Sequence, residues 1–360
     1  MRAAVLTGFN EPLVVEELRS PDLADHEVRI AVDASGVCHS DLSVMKGNVP
    51  MPPPIILGHE GTGIVIDVGR SVSRVKKGDR IIASFGAVCG NCWFCLHDKT
   101  NLCDTTMEVA GRVRALRSDG SEVRAMTGLG TFSDTMVLSE TNAITVRTDL
   151  PPEQLALIGC GITTGVGAAL NTGKVTPGAT VAVFGCGGVG QSVIQGARIC
   201  GASRIFAVDP VELKRSAAGH FGATDFIDPA NGDPVAQIVE ATGGLGVDFA
   251  FEVIGLPETI VAAYNVVRRA GTAVIVGMPR YDASITLPAF GIFASEKVLV
   301  GSMYGSSQVR RDFQRYIELV ETGRLDIGSM VSRRIGLDDI NDAFRAMEAG
   351  EVIRSVITSW

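Results

Sequence analysis

Four cysteines crowd one short stretch: Cys89, Cys92, Cys95 and Cys103, spaced C-x2-C-x2-C-x7-C. Gaps of two residues turn successive thiolates inward on one loop, and the fourth closes a tetrahedron, the closed geometry of a structural zinc site. An iron–sulfur cluster is the rival reading, but its bacterial run ends in a shorter gap and a Cys-Pro, whereas Asp104 follows Cys103. Four unrelated buried thiols are the plain alternative, against which the clustering argues. A looser set is Cys38 in Val37-Cys38-His39-Ser40-Asp41, His59 in Gly58-His59-Glu60, and Cys160 between Gly159 and Gly161. Two thiolates and one imidazole would leave a zinc ion its fourth position open for chemistry. A lone buried Cys is usually a small core residue, and spacing alone leaves open whether these three meet.

A third constellation lies mid-chain. Val181-Ala182-Val183-Phe184 reads as a buried strand and runs into Gly185-Cys186-Gly187-Gly188-Val189-Gly190, which fits G-x-G-x-x-G. A helix over 191–200 and a strand over 204–208, ending at Asp209, follow. The glycines allow a tight turn and close approach of a pyrophosphate to a helix N-terminus. Asp209 falls where an acidic side chain accepts hydrogen bonds from the adenosine ribose. Cys186 and Cys200 read as small packing residues of this unit.

The surrounding elements must hold these groups. Strands are expected over 225–227, 249–253, 273–276 and 298–300, and helices over 211–221, 234–241, 257–269 and 308–322. That alternation predicts a doubly wound parallel sheet of α/β class. The first 150 residues differ. Short strands at 3–6, 28–32, 63–68 and 80–84 lie between Gly and Pro turns, which suggests a mostly antiparallel, barrel-like domain. The tail, 352–358, is again strand-like. With 42 Gly in 360 residues, glycine exceeds its usual ~7% share, as nucleotide-binding α/β folds require. Lys plus Arg number 32 against 40 Asp plus Glu, a net charge of −8, which argues against a nucleic-acid partner. The long, nearly uncharged stretch 155–197 contains Asn171, Pro177, Gln191 and Gln195 and lacks the ~20 unbroken apolar residues of a span, so no membrane partner is expected. A cytoplasmic location follows, in which the eight cysteines do not form a disulfide set.

Together these motifs, with Phe251-Glu252-Val253-Ile254-Gly255, resemble the zinc-dependent medium-chain alcohol dehydrogenases over the whole chain. The stretch between Cys103 and Phe132 is similar to the liver-type and class III (glutathione-dependent) branch and its bacterial relatives. The resemblance implies a GroES-like catalytic domain over 1–161, completed by 304–360, and a Rossmann coenzyme domain over 162–303. It implies two zinc ions per chain, NAD as coenzyme, and a homodimer joined through the coenzyme domain. Cys38, His59 and Cys160 would hold the catalytic zinc, with Glu60 behind it and Asp41 fixing the tautomer of His59. Zinc would act as a Lewis acid on an alcohol oxygen, Ser40 would pass the proton on, and a hydride would go to the nicotinamide. Coenzyme contacts would come from His39, the 185–190 turn, Asp209, Lys214, Met278 and Arg354. Val49, Phe85 and Met126 would line the substrate pocket.

Three departures matter. Ser43 stands where many liver-type members end the proton relay with a His, and His39 where many relatives carry an Arg on the pyrophosphate. The positions that handle glutathione in the class III branch align with Val49 and 106–107, so glutathione-linked formaldehyde oxidation is not supported. Arg112, Arg114, Arg117 and Arg124 read as a solvated loop face, though an anionic substrate or another thiol carrier stays open. Ser40, smaller than Thr, leaves room for bulky or aromatic alcohols. The leading reading is an NAD-dependent zinc alcohol dehydrogenase acting on primary alcohols. A thiol-adduct formaldehyde dehydrogenase and a catalytically silent zinc and dinucleotide binder are the alternatives.

Overall fold

Alternating burial along Glu27–Gly36, in which Val28, Ile30, Val32 and Ala34 turn inward, makes this strand the spine of the first of two units. A computed structural model describes residues 1–110 and 112–360 of the chain. The first unit comprises Met1–Gly161, Gln308–Gly323 and Ile327–Trp360; the second comprises Ile162–Ser307 and Arg324–Asp326. The chain thus returns to the first unit at Gln308 rather than 304, and 324–326 packs with the second.

In the first unit, Glu27–Gly36 pairs antiparallel with Glu60–Val68, Thr135–Ser139 and the C-terminal Arg354–Ser359. Arg80–Ala83, Ala143–Thr145 and Val331–Gly336 extend this sheet. A second sheet runs in the order Val14–Glu17, Arg2–Leu6, Ile55–Ile56, Glu122–Ala125, Val113–Leu116. Both are mostly antiparallel, as the short alternating strands predict. The segment 113–125, read from sequence as a loop face, is instead a hairpin paired into the second sheet. One core gathers Leu6, Leu57, Met126, Phe132 and Phe344; another gathers Val28, Ile30, Ile81 and Leu138.

The second unit is built on a parallel sheet in the order Asp225–Ile227, Arg204–Val208, Thr180–Phe184, Val247–Glu252, Val267–Ile275, Val298–Gly301. The order reverses between Thr180–Phe184 and Val247–Glu252, the crevice where doubly wound folds bind dinucleotides. The helix expected over 257–269 ends at Val266, because 267 onward joins the sheet. The helix Val309–Glu321, read from sequence as part of this alternation, belongs to the first unit. The helical run Pro152–Gly173 is long and apolar enough to cross a membrane by composition, but 83% of its apolar window is buried within the protein, as in a core helix.

Candidate active site and metal centres

The four-cysteine lobe closes as its spacing predicts. Cys92 caps the short helix Trp93–Leu96. The sulfurs of Cys89 and Cys95 stand 3.9 Å apart, as do those of Cys92 and Cys103. Disulfide sulfurs lie about 2.05 Å apart, whereas Zn–S bonds of ~2.3 Å place the corners of a tetrahedron about 3.8 Å apart. Backbone N–H groups donate to these sulfurs, from Cys92 to Cys89 and from Cys89 to Cys103, each at 3.3 Å. Hydrogen bonds from the Asp104 and Cys95 backbone pull the Cys92 thiol down to about 6, favouring the thiolate that zinc requires.

The looser set also converges. The ligand atoms of Cys38, His59, Glu60 and Cys160 lie within 4.8 Å of one another, and all four residues are buried. They arrive on three different elements. Cys38 follows the Glu27–Gly36 strand and stands at the N-cap of the helix His39–Met45. His59 precedes Glu60, which opens the strand Glu60–Val68 opposite Gly36. Cys160 sits in the turn Ile158–Ile162 after the helix Pro152–Leu157.

Asp41, fully buried, organises the cluster. Its Oδ1 lies 3.0 Å from His59 Nδ1 and accepts from Gly58 N at 3.0 Å, while Oδ2 accepts from Cys38 N at 3.0 Å. A carboxylate on Nδ1 assigns the proton there and turns the Nε2 lone pair toward the sulfurs. Burial works against a charged His59, but Asp41 and then Cys38 outweigh it and raise its pKa well above the ordinary value. A hydrogen bond from Cys160 does most to hold the Cys38 thiol well below its usual range, against burial. Two soft thiolates and an oriented imidazole suit zinc.

Glu60 lies behind these ligands. Its Oε1 accepts from Gly161 N at 3.1 Å, and Oε2 pairs with Arg354. Burial outweighs the opposing pull of Arg354 and pushes its carboxyl up to about 7. Arg354, expected on the coenzyme, is 4% exposed and pairs with Glu60, because the strand Arg354–Ser359 runs beside Gly36. Nothing local in the sequence signals this pair, whose members stand 294 residues apart.

Ser40 and Ser43 lie one turn apart on the helix His39–Met45, both half-buried; His39, its first residue, is exposed. Phe85 meets His59 edge-to-face with ring centroids 5.8 Å apart. Met126, 3% exposed, is a core residue beside Leu57 and Phe132, and Val49 packs on the same core, so these two are less available as pocket lining than Phe85. The arginines of 112–124 are not a uniformly solvated face. Arg114 is buried, donating to Glu27 at 2.6 Å and to Gly128 O at 3.1 Å, and Arg117 grips Glu16 with two bonds of 2.7 and 2.8 Å. The side chain at 107 lies outside the described residues.

In the second unit the glycine turn stands where the motif places it. Gly185 adopts φ +91°, which favours glycine, and a Cβ on Gly190 would strike the Gly185 carbonyl. Gly187 caps the helix Gly188–Ile199, and a Cβ there would meet nothing within 4 Å, leaving the open approach that a pyrophosphate needs. Asp209 Oδ2 accepts from Cys186 N at 2.8 Å and Oδ1 from Val211 N at 2.9 Å, which aims the carboxylate. Each oxygen keeps a lone pair for a ribose hydroxyl. Gln191, not singled out in the sequence, donates from Nε2 to Cys186 O and to Lys214 O, tying the turn to the helix Glu212–Phe221, where Lys214 lies half-buried. Met278 is exposed beyond the strand Val267–Ile275. The two clusters and this turn fit two zinc ions and NAD.

Residues 24–148 match the family model described as alcohol dehydrogenase GroES-like domain, and 188–322 match zinc-binding dehydrogenase. The chain is 36% identical over 365 residues to an S-(hydroxymethyl)glutathione dehydrogenase of Synechocystis sp., covering 99% of each chain. Among solved structures it is similar to benzyl alcohol dehydrogenase from Acinetobacter calcoaceticus, with TM-score 0.92 and 31% identity, covering 100% of this chain and 99% of that one. It is also similar to an alcohol dehydrogenase zinc-binding domain protein from Burkholderia ambifaria, with TM-score 0.94 and 31% identity over 100% and 98%.

Proposed function

Because the chain belongs to the zinc-dependent medium-chain alcohol dehydrogenases, we propose that it interconverts primary alcohols, bulky and aromatic ones included, with their aldehydes. The observation that carries this reading is the buried convergence of Cys38, His59 and Cys160 around an imidazole aimed by Asp41. Bound there, zinc supplies Lewis-acid polarisation of the alcohol oxygen, and NAD supplies the hydride acceptor. The chain's own groups do the rest. Asp41 holds the His59 tautomer, and Arg354 balances the charge of Glu60 behind the ligands. Ser40 takes the substrate's hydroxyl proton as its own moves outward, and Ser43 stands on the same helical face. Phe85, edge-on to His59, gives the substrate an apolar wall. The structural likeness to benzyl alcohol dehydrogenase supports an aromatic substrate.

A second reading is oxidation of a thiol–formaldehyde adduct, favoured by the likeness to the S-(hydroxymethyl)glutathione dehydrogenase of Synechocystis sp.. The pairing of Arg114 with Glu27 and of Arg117 with Glu16 weakens it, since both cations are engaged within the protein. One experiment separates these readings and the silent binder: NADH absorbance with a series of alcohols, and with formaldehyde plus glutathione. Turnover of benzyl alcohol without thiol supports the first reading. Turnover only with formaldehyde and thiol supports the second, and none at all supports a silent binder.

The location is cytoplasmic in this reading, consistent with eight cysteines that form no disulfide. The active form is a homodimer, a second copy joining along the outer strand Val298–Gly301, where Val298 is half-exposed and Phe290 and Phe293 are about four-fifths exposed. Sedimentation of the intact chain at the monomer mass would refute it.

A further inference from the structure

Within the four-cysteine lobe, Cys103 is buried, whereas Cys89, Cys92 and Cys95 are half-buried. It is also bonded differently. The sulfurs of Cys89 and Cys92 accept from main-chain N–H groups, those of Cys92 and Cys95, at 3.3 and 3.5 Å. The sulfur of Cys103 accepts likewise from Cys89 N at 3.3 Å, but a side-chain hydroxyl stands beside it as well, Thr105 Oγ1 at 3.2 Å. A thiol could give or take the proton in that contact. A thiolate that ligates zinc carries none, so there the Thr105 hydroxyl is the donor.

Cys103 is the ligand that arrives from across the seven-residue gap, delivered by the turn Thr100–Leu102, while the other three share one short run. Its place therefore depends on the corner that follows it. Thr106 N donates to Cys103 O at 3.2 Å, and Thr106 Oγ1 donates to Ala87 O at 3.4 Å, which ties the corner to the chain just ahead of Cys89. The main-chain donors to sulfur come with the turns that present the cysteines. The hydroxyl comes only with the choice of residue at 105. Four thiolates carry more negative charge than one divalent ion cancels, and each donor to a sulfur offsets part of it. A donated hydrogen bond also draws charge from the sulfur and makes it a poorer target for a proton or an electrophile.

We propose that Thr105 is a positioning residue for the zinc of the lobe: its hydroxyl makes Cys103 the anchoring thiolate, the last of the four to release the ion. This rests on the reading that the lobe holds zinc. The role lies in metal retention rather than in alcohol turnover, so it is read on the metal and on the thiols.

The test follows zinc leaving the zinc-loaded full chain for a chromogenic chelator, in wild type, Thr105→Val and Thr105→Ser. Thr105→Val keeps the shape and removes the donor. It should speed the slower phase, which empties the lobe, by about tenfold or more, the lower end for loss of a partner behind a metal ligand. Thr105→Ser keeps the hydroxyl and should stay within about threefold of wild type. In parallel, limiting N-ethylmaleimide and peptide mapping rank the lobe cysteines by reactivity. Cys103 should be labelled last in wild type and should lose that place in Thr105→Val. If Thr105→Val does not fold, Thr105→Ala carries the same two measurements. A lobe phase unchanged in the donorless variant, one equally fast in Thr105→Ser, or Cys103 labelled ahead of the other three in wild type would overturn the proposal. A wild-type chain holding a single zinc, with the lobe cysteines labelled at once, would overturn the zinc reading of the lobe and the proposal with it.

Discussion

Ser40 is a half-buried hydroxyl two residues beyond Cys38, and its proposed duty is proton transfer. Ser40→Ala should slow the pre-steady-state NADH burst by about 10²-fold, the lower end for general acid–base assistance. Ser43→His should speed the burst near pH 7 and change little at high pH, where hydroxide takes the proton. A Ser40→Ala burst as fast as wild type at every pH would send the proton by another route. Asp209 carries a second prediction. Both of its oxygens already brace backbone N–H groups, so truncation would loosen the turn as well as remove the charge. Asp209→Asn is the cleaner variant, keeping one acceptor while removing the charge that repels the extra phosphate of NADP. Wild type should favour NAD by at least about tenfold, or 1.4 kcal/mol, and the variant should approach parity in kcat/KM; an unchanged preference would remove Asp209 from this role.

The hairpin Val113–Leu116 with Glu122–Ala125 is the element the sequence misrepresents. Its arginines look like a solvated run because the chain does not show that Glu27, 87 residues away from Arg114, opens the strand beneath. Burial raises the Glu27 carboxyl, but the hydrogen bond and charge of Arg114, with the Ala24 N–H, more than reverse it and leave its pKa below the ordinary 4.5. A depressed carboxylate contributes stability that is present above its unfolded pKa and lost as pH falls through the folded one. Arg114→Met strands the buried charge and should cost about 3–5 kcal/mol near neutral pH. The deficit should shrink as pH falls, starting where the burial-raised Glu27 carboxyl of the variant takes a proton and levelling off once the depressed carboxyl of the wild type does too. Urea denaturation of both proteins across pH 3–7, a range of about four units spanning the carboxylate pKa values, would show a parallel, pH-independent gap if the pair does not form.

For the whole molecule, metal content is the simplest check. Two zinc ions per chain are expected, and a mild chelator should take the three-ligand ion first, entering through the open position that four thiolates do not offer. Activity should then vanish before the thermal transition moves; one zinc per chain, or iron, would contradict this. The same contrast separates what could be read from the chain alone. The C-x2-C-x2-C-x7-C lobe and the glycine turn were legible because each is local: their ligands or N–H groups lie on one loop or one strand–turn–helix, where spacing is geometry. Strand and helix periodicity likewise exposed the parallel sheet, since burial repeats every two residues or every three to four. The site around His59 was legible only through family resemblance. Cys38, His59 and Cys160 meet because a strand end, a strand start and a helical turn converge. Arg114 was misplaced, and the Arg354–Glu60 pair went unseen, for the same physical reason. A charge is surface or core according to the partner that folding brings to it, and sheet pairing across 294 residues for Arg354 and 87 for Arg114 is decided by the packed core, not by any neighbour in the chain.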